Sequence, residues 1–143
     1  MNSTLPAAAI GHFVLKVENI DHSYEFYTKL GLRPFAKYPD VAIIELRGGT
    51  HILIFSKHEE LPFKISSSHL GQRSAFFNEQ LDLMIAGSSK GDLEQYRSTL
   101  VGRGLDVGEI SQDQLFGHNF FQLTDPDGNG ITFYTSHTGS LPV

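Results

Sequence analysis

The sequence predicts an α+β fold made of two similar halves, and three observations carry that prediction. The order strand, helix, strands runs twice along the chain. The two polar residues placed to start the helices, Asp21 and Asp92, lie about 71 residues apart, half of the 143. Each half also ends in strands joined by strong turn chemistry, Arg47-Gly48-Gly49-Thr50 in the first and Asp125-Pro126-Asp127-Gly128-Asn129 in the second. A strand, a helix and a hairpin cover only one sheet face, so one copy cannot close alone. Two copies side by side would make a larger curved sheet with helices outside and a hollow inside.

Each element has its own signal. Phe13, Leu15 and Val17 alternate with His12, Val14 and Lys16, the period of a strand with one fully apolar face. Asp21 can cap a helix through Leu30, with Tyr24, Phe26, Tyr27 and Leu30 as its apolar side and Gly31 as its stop. Pro34 and Pro39 bracket an extended piece, and Val41–Leu46 and His51–Phe55 read as a hairpin. From Ser56 to Gln80 the pattern weakens into a connector, with a short strand expected around Ser74–Phe77. Leu81–Ala86 then alternates as a strand, with Leu83 and Ile85 on one face and Asp82 and Met84 on the other. Asp92, with Gln95 three residues on, suits a second helix whose stripe is Leu93, Tyr96 and Leu100 and whose end is Gly102 and Gly104. Asn119–Thr124 and Ile131–Thr135 complete the second set of strands.

Composition narrows the partners. With 40% apolar and 19% charged residues the chain is ordinary globular protein, and at this length one core hides roughly two-thirds of the unfolded surface. There is no cysteine, which excludes disulfides, cysteine-ligated zinc, iron–sulfur clusters and thiol catalysis and fits a reducing compartment. Sixteen acidic against 11 basic residues give a net charge of −5 with no basic run, which argues against nucleic acid and anionic membrane as partners. Met1–Ala9 lacks the pattern of a secretory signal, and no apolar run approaches the roughly 20 residues of a membrane span. The expectation is a cytoplasmic protein.

Ile10-Gly11-His12-Phe13, Phe26-Tyr27-Thr28-Lys29-Leu30-Gly31-Leu32 and Asp125-Pro126-Asp127-Gly128-Asn129 together resemble the vicinal oxygen chelate superfamily. That superfamily holds glyoxalase I, extradiol dioxygenases, fosfomycin-resistance enzymes and bleomycin-resistance binding proteins. The resemblance runs from about Ala9 to His137 and implies one domain over 1–143. Module one would span about 9–56, the connector about 57–80 and module two about 81–137. It implies paired βαβββ modules whose curved mixed sheets enclose a cavity, assembled as a homodimer or by fused modules.

The resemblance also implies where metal ligands would stand: a His or Gln on the opening strand of each module and a Glu on the closing one. The matching residues here are His12 and Leu53 in the first half, and Asp82 and Thr132 in the second. Leu53 cannot ligate, and a Thr132 hydroxyl poorly replaces a carboxylate, so only His12 and Asp82 remain of the standard set. No cofactor is expected. A divalent metal would need a non-standard carboxylate such as Glu45, whose plainer explanation is an exposed cross-strand pair. Gln122 is the approximate counterpart of Glu45.

Strand parity puts further residues on the faces that would line the hollow. His51, Leu53 and Phe55 share one parity, Thr132 and Tyr134 another, and Val14 and Met84 accompany His12 and Asp82. His12 reads as a ligand contact or as a scaffold histidine bonded to backbone. His51 reads as a proton-transfer partner for His12 or as a solvated residue at a strand start. Asp82 pairs with a basic ligand group or with His12, or else marks a wet rim, and His118 stands at a cavity mouth or in solvent. An apolar and aromatic lining suits a flat small molecule, though packing across a dimer seam would use the same residues. No phosphate loop and no nucleophile elbow is present. The expected function is binding or sequestering a small molecule without the standard metal, as in bleomycin-resistance-type proteins. The alternative is a metal-dependent lyase, dioxygenase or thiol transferase in which His12 acts with Asp82 or Glu45 as its catalytic groups.

Overall fold

The apolar parity of the opening strand is the parity of the first core. In the computed structural model, which describes residues 6, 8–60, 80–87, 89–114 and 117–135, Leu15 and Val17 are buried together with Ala42, Ile44, Ile52 and Ile54. These alternate residues belong to β1 (His12–Val17), β3 (Val41–Glu45) and β4 (His51–Ser56), and β2 (Arg33–Lys37) completes the sheet. The helix α1 (Ile20–Lys29) packs on β2, β3 and β4 and contributes Tyr27, with Leu30 at its C-cap; both are buried. Each such side chain removed from water contributes about 1.5–3 kcal/mol. The strand order is β1-β4-β3-β2, with β1 and β4 parallel and the other pairs antiparallel.

The second half repeats this plan. Its elements are β5 (Gln80–Met84), α2 (Lys90–Gly102), β6 (Ser111–Gln112), β7 (Asn119–Thr124) and β8 (Gly130–Tyr134). The order is β5-β8-β7-β6, again with one parallel pair, β5 and β8. Leu93 and Leu100 of α2 are buried, as are Phe121, Leu123, Ile131 and Phe133 of the sheet. Tyr96 tilts against both Phe121 and Phe133, and burial there pushes its phenol up to about 12. The chain divides into two compact units, Met1–Lys64 and Ile65–Val143. None of the described helices is long and apolar enough to cross a membrane.

The two turns are built alike. Leu46 N–H donates to Thr50 O and Gly49 N–H to Leu46 O; in the second unit Asp125 N–H donates to Asn129 O and Gly128 N–H to Asp125 O. Gly49 (φ 91°) and Gly128 (φ 83°) both hold the left-handed backbone that such a turn needs. In the second unit the carboxylate of buried Asp125 also accepts from the backbone N–H groups of Asp127 and Asn129 and from Asn129 Nδ2.

Several expectations are corrected. The helices are capped by Asn19 and Ser89, 70 residues apart, rather than by Asp21 and Asp92. Asn19 takes the extended backbone of a cap and accepts from His22 N–H (3.0 Å), which leaves Asp21 in the first turn, bound to Lys37. Asp92 is the reciprocal partner of Ser89 in a capping box, so Gln95 is not; the Ser89 hydrogen bonds hold the Asp92 carboxyl below its ordinary value. The piece between Pro34 and Pro39 is the edge strand β2, where a residue without an N–H is tolerated. The two-residue β6 has too short a pattern to be foreseen. The strand expected at Ser74–Phe77 lies outside the described residues.

Candidate functional site

The helix-free face of the first sheet carries a row of four polar residues in register. His12 pairs with His51, His51 with Glu45, and Glu45 with Arg33, so the row crosses all four strands. Next along the strands comes an apolar row, Val14, Leu53 and Ile43, and then Lys16, Phe55 and Val41. Leu53, Phe55, Ile43 and Val41 are each half-buried.

The polar row is bonded to itself. Arg33 Nη1 donates to Glu45 Oε1 at 2.8 Å, and His51 Nε2 lies 3.0 Å from Glu45 Oε2. An ionised carboxylate only accepts, so Nε2 of His51 carries a hydrogen and donates it. The His51 hydrogen bond, followed by the attraction of Arg33, holds the Glu45 carboxyl below its ordinary value against the opposing effect of partial burial. The ring of His12 lies parallel to that of His51 with centroids 6.2 Å apart. Phe35 reaches His51 as well, 4.5 Å between centroids. It does so because β2 bulges: the register against β3 shifts between Pro34 and Ala36, which frees Phe35 from pairing.

On the second sheet the matching row is Asp82, Thr132 and Gln122. Asp82 stands seven residues before the Ser89 cap, as His12 stands seven before Asn19. Gln122 Nε2 donates to Thr132 Oγ1 at 3.1 Å, and Thr132 is buried. Met84 pairs with Tyr134, and His118 meets the Tyr134 ring edge-on at 5.2 Å.

The registers refine one sequence match. Counted from the turns, Leu53 and Thr132 are equivalent; counted from the opening strands, they are not. Thr132 lies opposite Asp82, but the residue opposite His12 is His51, and Leu53 lies opposite Val14. The hairpin of the first unit is therefore displaced by two residues along its opening strand. A two-residue slide leaves every side chain on its own face, so alternation in the sequence cannot reveal it.

Thus His12, Val14, His51, Leu53 and Phe55 share one face of the first sheet with Glu45. Asp82, Met84, Thr132 and Tyr134 share one face of the second. Glu45 is a cross-strand pair, joined to two partners. His51 is half-buried and hydrogen-bonded. Arg33 and Phe35 were not foreseen: Arg33 carries no signal without the register, and the bulge leaves none in the alternation.

The donors do not fit a metal cage within either unit. Among the described residues no three His, Asp or Glu side chains converge as a metal-binding group. Both oxygens of Glu45 already bind Arg33 and His51, and the second row offers one carboxylate beside a hydroxyl and an amide. A groove of about 400 Å³ beside α2, lined by Lys90, Glu94, Arg97 and Glu109 among others, includes no residue of either row. Arg97 there is committed to the carbonyls of Val107 and Gly108.

Comparison with known proteins agrees with the architecture. The family model described as Glyoxalase/Bleomycin resistance protein/Dioxygenase superfamily matches residues 9–133. The fold resembles lactoylglutathione lyase from Agrobacterium tumefaciens at 17% identity, covering 92% of this chain and 96% of that one with a TM-score of 0.70. It also resembles a glyoxalase/bleomycin resistance protein/dioxygenase from Alicyclobacillus acidocaldarius (19% identity, 90% and 92% covered, TM-score 0.62). A third likeness is TioX from Micromonospora sp. ML1 (13% identity, 90% and 98% covered, TM-score 0.66). No curated protein sequence matches the chain. The chain belongs to the glyoxalase/bleomycin resistance/dioxygenase superfamily.

Proposed function

We propose that this chain binds a flat, largely apolar small molecule on the helix-free faces of its sheets and works without the superfamily's usual metal centre. It would act as a binding or sequestering protein of the bleomycin-resistance type. The observation that carries this reading is how the polar side chains are engaged. Glu45 is held by Arg33 and His51, and Thr132 by Gln122, so neither row presents a converging set of free donors. Beside them stand half-buried Leu53, Ile43, Phe55 and Val41, a surface that favours apolar contact over ion binding. The alternative, His12 acting on a metal with Glu45, finds less support because a metal would have to displace two partners from that carboxylate.

The same half-exposed apolar residues favour burial against a second copy, so we also propose a homodimer, and the cysteine-free composition suits the cytoplasm. A thermal-shift screen of aromatic and polycyclic compounds tests the reading, run before and after chelator treatment. A compound that raises Tm progressively with concentration, with no loss of Tm on chelation, is the expected outcome. A Tm that drops on chelation and recovers with one specific divalent ion would overturn it.

A further inference from the structure

We propose that His51, oriented by Glu45, takes the proton of a weakly acidic hydroxyl ligand, a phenol or an enol, bound against Phe35 and the apolar row; this rests on the binding reading above. With Nε2–H donated to Glu45, the neutral form of the ring has its lone pair on Nδ1, which has no hydrogen-bond partner among the described residues. Glu45 is itself fixed from the far side by Arg33. The groups against His51 are His12 on β1, Glu45 on β3 and Phe35 on β2, and Arg33 on β2 holds the other oxygen of Glu45.

The step balances within the row. The ligand O–H bond breaks, its electron pair stays on oxygen, and the proton goes to Nδ1. The resulting imidazolium keeps its Nε2–H on Glu45. Charges then alternate along the row: Arg33 positive, Glu45 negative, His51 positive, ligand oxygen negative. The attraction between neighbours is strengthened by partial exclusion of water. Phe35, half-exposed and 4.5 Å from the imidazole, offers a plane on which an aromatic or conjugated ring can stack.

The second unit shows that this arrangement is not needed to close the sheet. At the same rank from its opening strand stand Thr132 and Gln122, a neutral hydrogen-bonded pair, within the same strand order. At this place in the row the hydrogen-bonded acid–base pair of the first unit has a neutral pair as its counterpart.

The probe is 4-nitrophenol, whose ionisation is visible in its absorbance, compared with 4-nitroanisole, the same ring without a proton to give. At a pH where free 4-nitrophenol is mostly protonated, the wild-type protein should bind it with the phenolate spectrum and bind 4-nitroanisole about tenfold more weakly or worse. His51→Gln should bring the two affinities together and abolish the phenolate spectrum. Glu45 is a positioning residue. Glu45→Leu, which removes both acceptor oxygens, should reduce the bound phenolate fraction and remove the Nε2–H tautomer preference of His51, read by ¹⁵N NMR of the imidazole. Equal binding of both probes with no ionisation would overturn the proton transfer while leaving the binding reading intact. Binding of neither, alongside hits in the thermal-shift screen, would overturn the ligand class. An unchanged tautomer in Glu45→Leu would overturn the positioning role of Glu45.

Discussion

The two units use one plan and differ by a slide. Both carry a polar residue of the opening strand, His12 or Asp82, seven residues before a helix cap, both return through the same five-residue turn, and both order their strands identically. In the first unit the hairpin sits two residues further along the opening strand. That slide brings the row next to the turn, Arg33–Glu45–His51, level with His12. In the second unit the level of Asp82 is filled by Thr132 and Gln122, one pleat repeat inside the hairpin. A displacement that the core does not notice, because parity is kept, thereby changes which chemistry stands beside the opening strand.

The comparison is open to attack through the cores first. Phe121→Ala in the second unit should cost about 3–5 kcal/mol and Ile54→Ala in the first about 2–5 kcal/mol, measured by chemical denaturation. Both side chains are fully buried. A loss below 1 kcal/mol at either site would show that its sheet is not packed as described.

The turns come next, since they reach one geometry by different means. Asp125→Ala removes a buried carboxylate that accepts three hydrogen bonds, and should cost about 1–3 kcal/mol. The first unit has Leu46 at that place and depends on glycine. Gly49→Ala meets no atom within 4 Å, so its expected cost of about 1–2 kcal/mol is conformational only. If Gly49→Ala were neutral, the likeness of the two turns would fail.

These differences also mark what the sequence made legible. The strand parity of β1 was readable because Phe13, Leu15 and Val17 leave one face wholly apolar. The turn at Asp125 was readable because Pro126 and Gly128 fit so few other conformations. The caps were misplaced because Asn19 and Asp21 are both able to cap, and so are Ser89 and Asp92; only backbone geometry chooses between them. The slide was invisible in principle, and with it the company of His51. Glu45 and His51 are legible as candidates, but that they bind each other depends on a register set by the folded sheet. Phe35 reaches them through a bulge that no alternation announces.

The smallest expected effects are on pH dependence. Glu45 has a lowered carboxyl, through His51 and then Arg33. Its contribution to stability is therefore complete above a glutamate's ordinary value and is lost as pH falls through the lowered one. Glu45→Gln should flatten that part of the acid limb in a Tm-against-pH series. Tyr96, raised to about 12 by burial, acts at the other end and in the second unit only. Its contribution is complete below a tyrosine's ordinary value near 10 and is lost as pH rises towards 12, so Tyr96→Phe should remove that alkaline loss. Residue-resolved amide spectra across the series would show whether the two limbs belong to different units. A Glu45→Gln acid limb identical to wild type would separate Glu45 from its two partners.

The most direct test is elemental analysis of protein purified without an affinity tag and without added metal, followed by calorimetric titration with zinc, nickel, manganese and iron(II). The expected result is metal far below one ion per chain and no saturable one-to-one binding. Stoichiometric metal that is lost when His12 is replaced by Ala would contradict it.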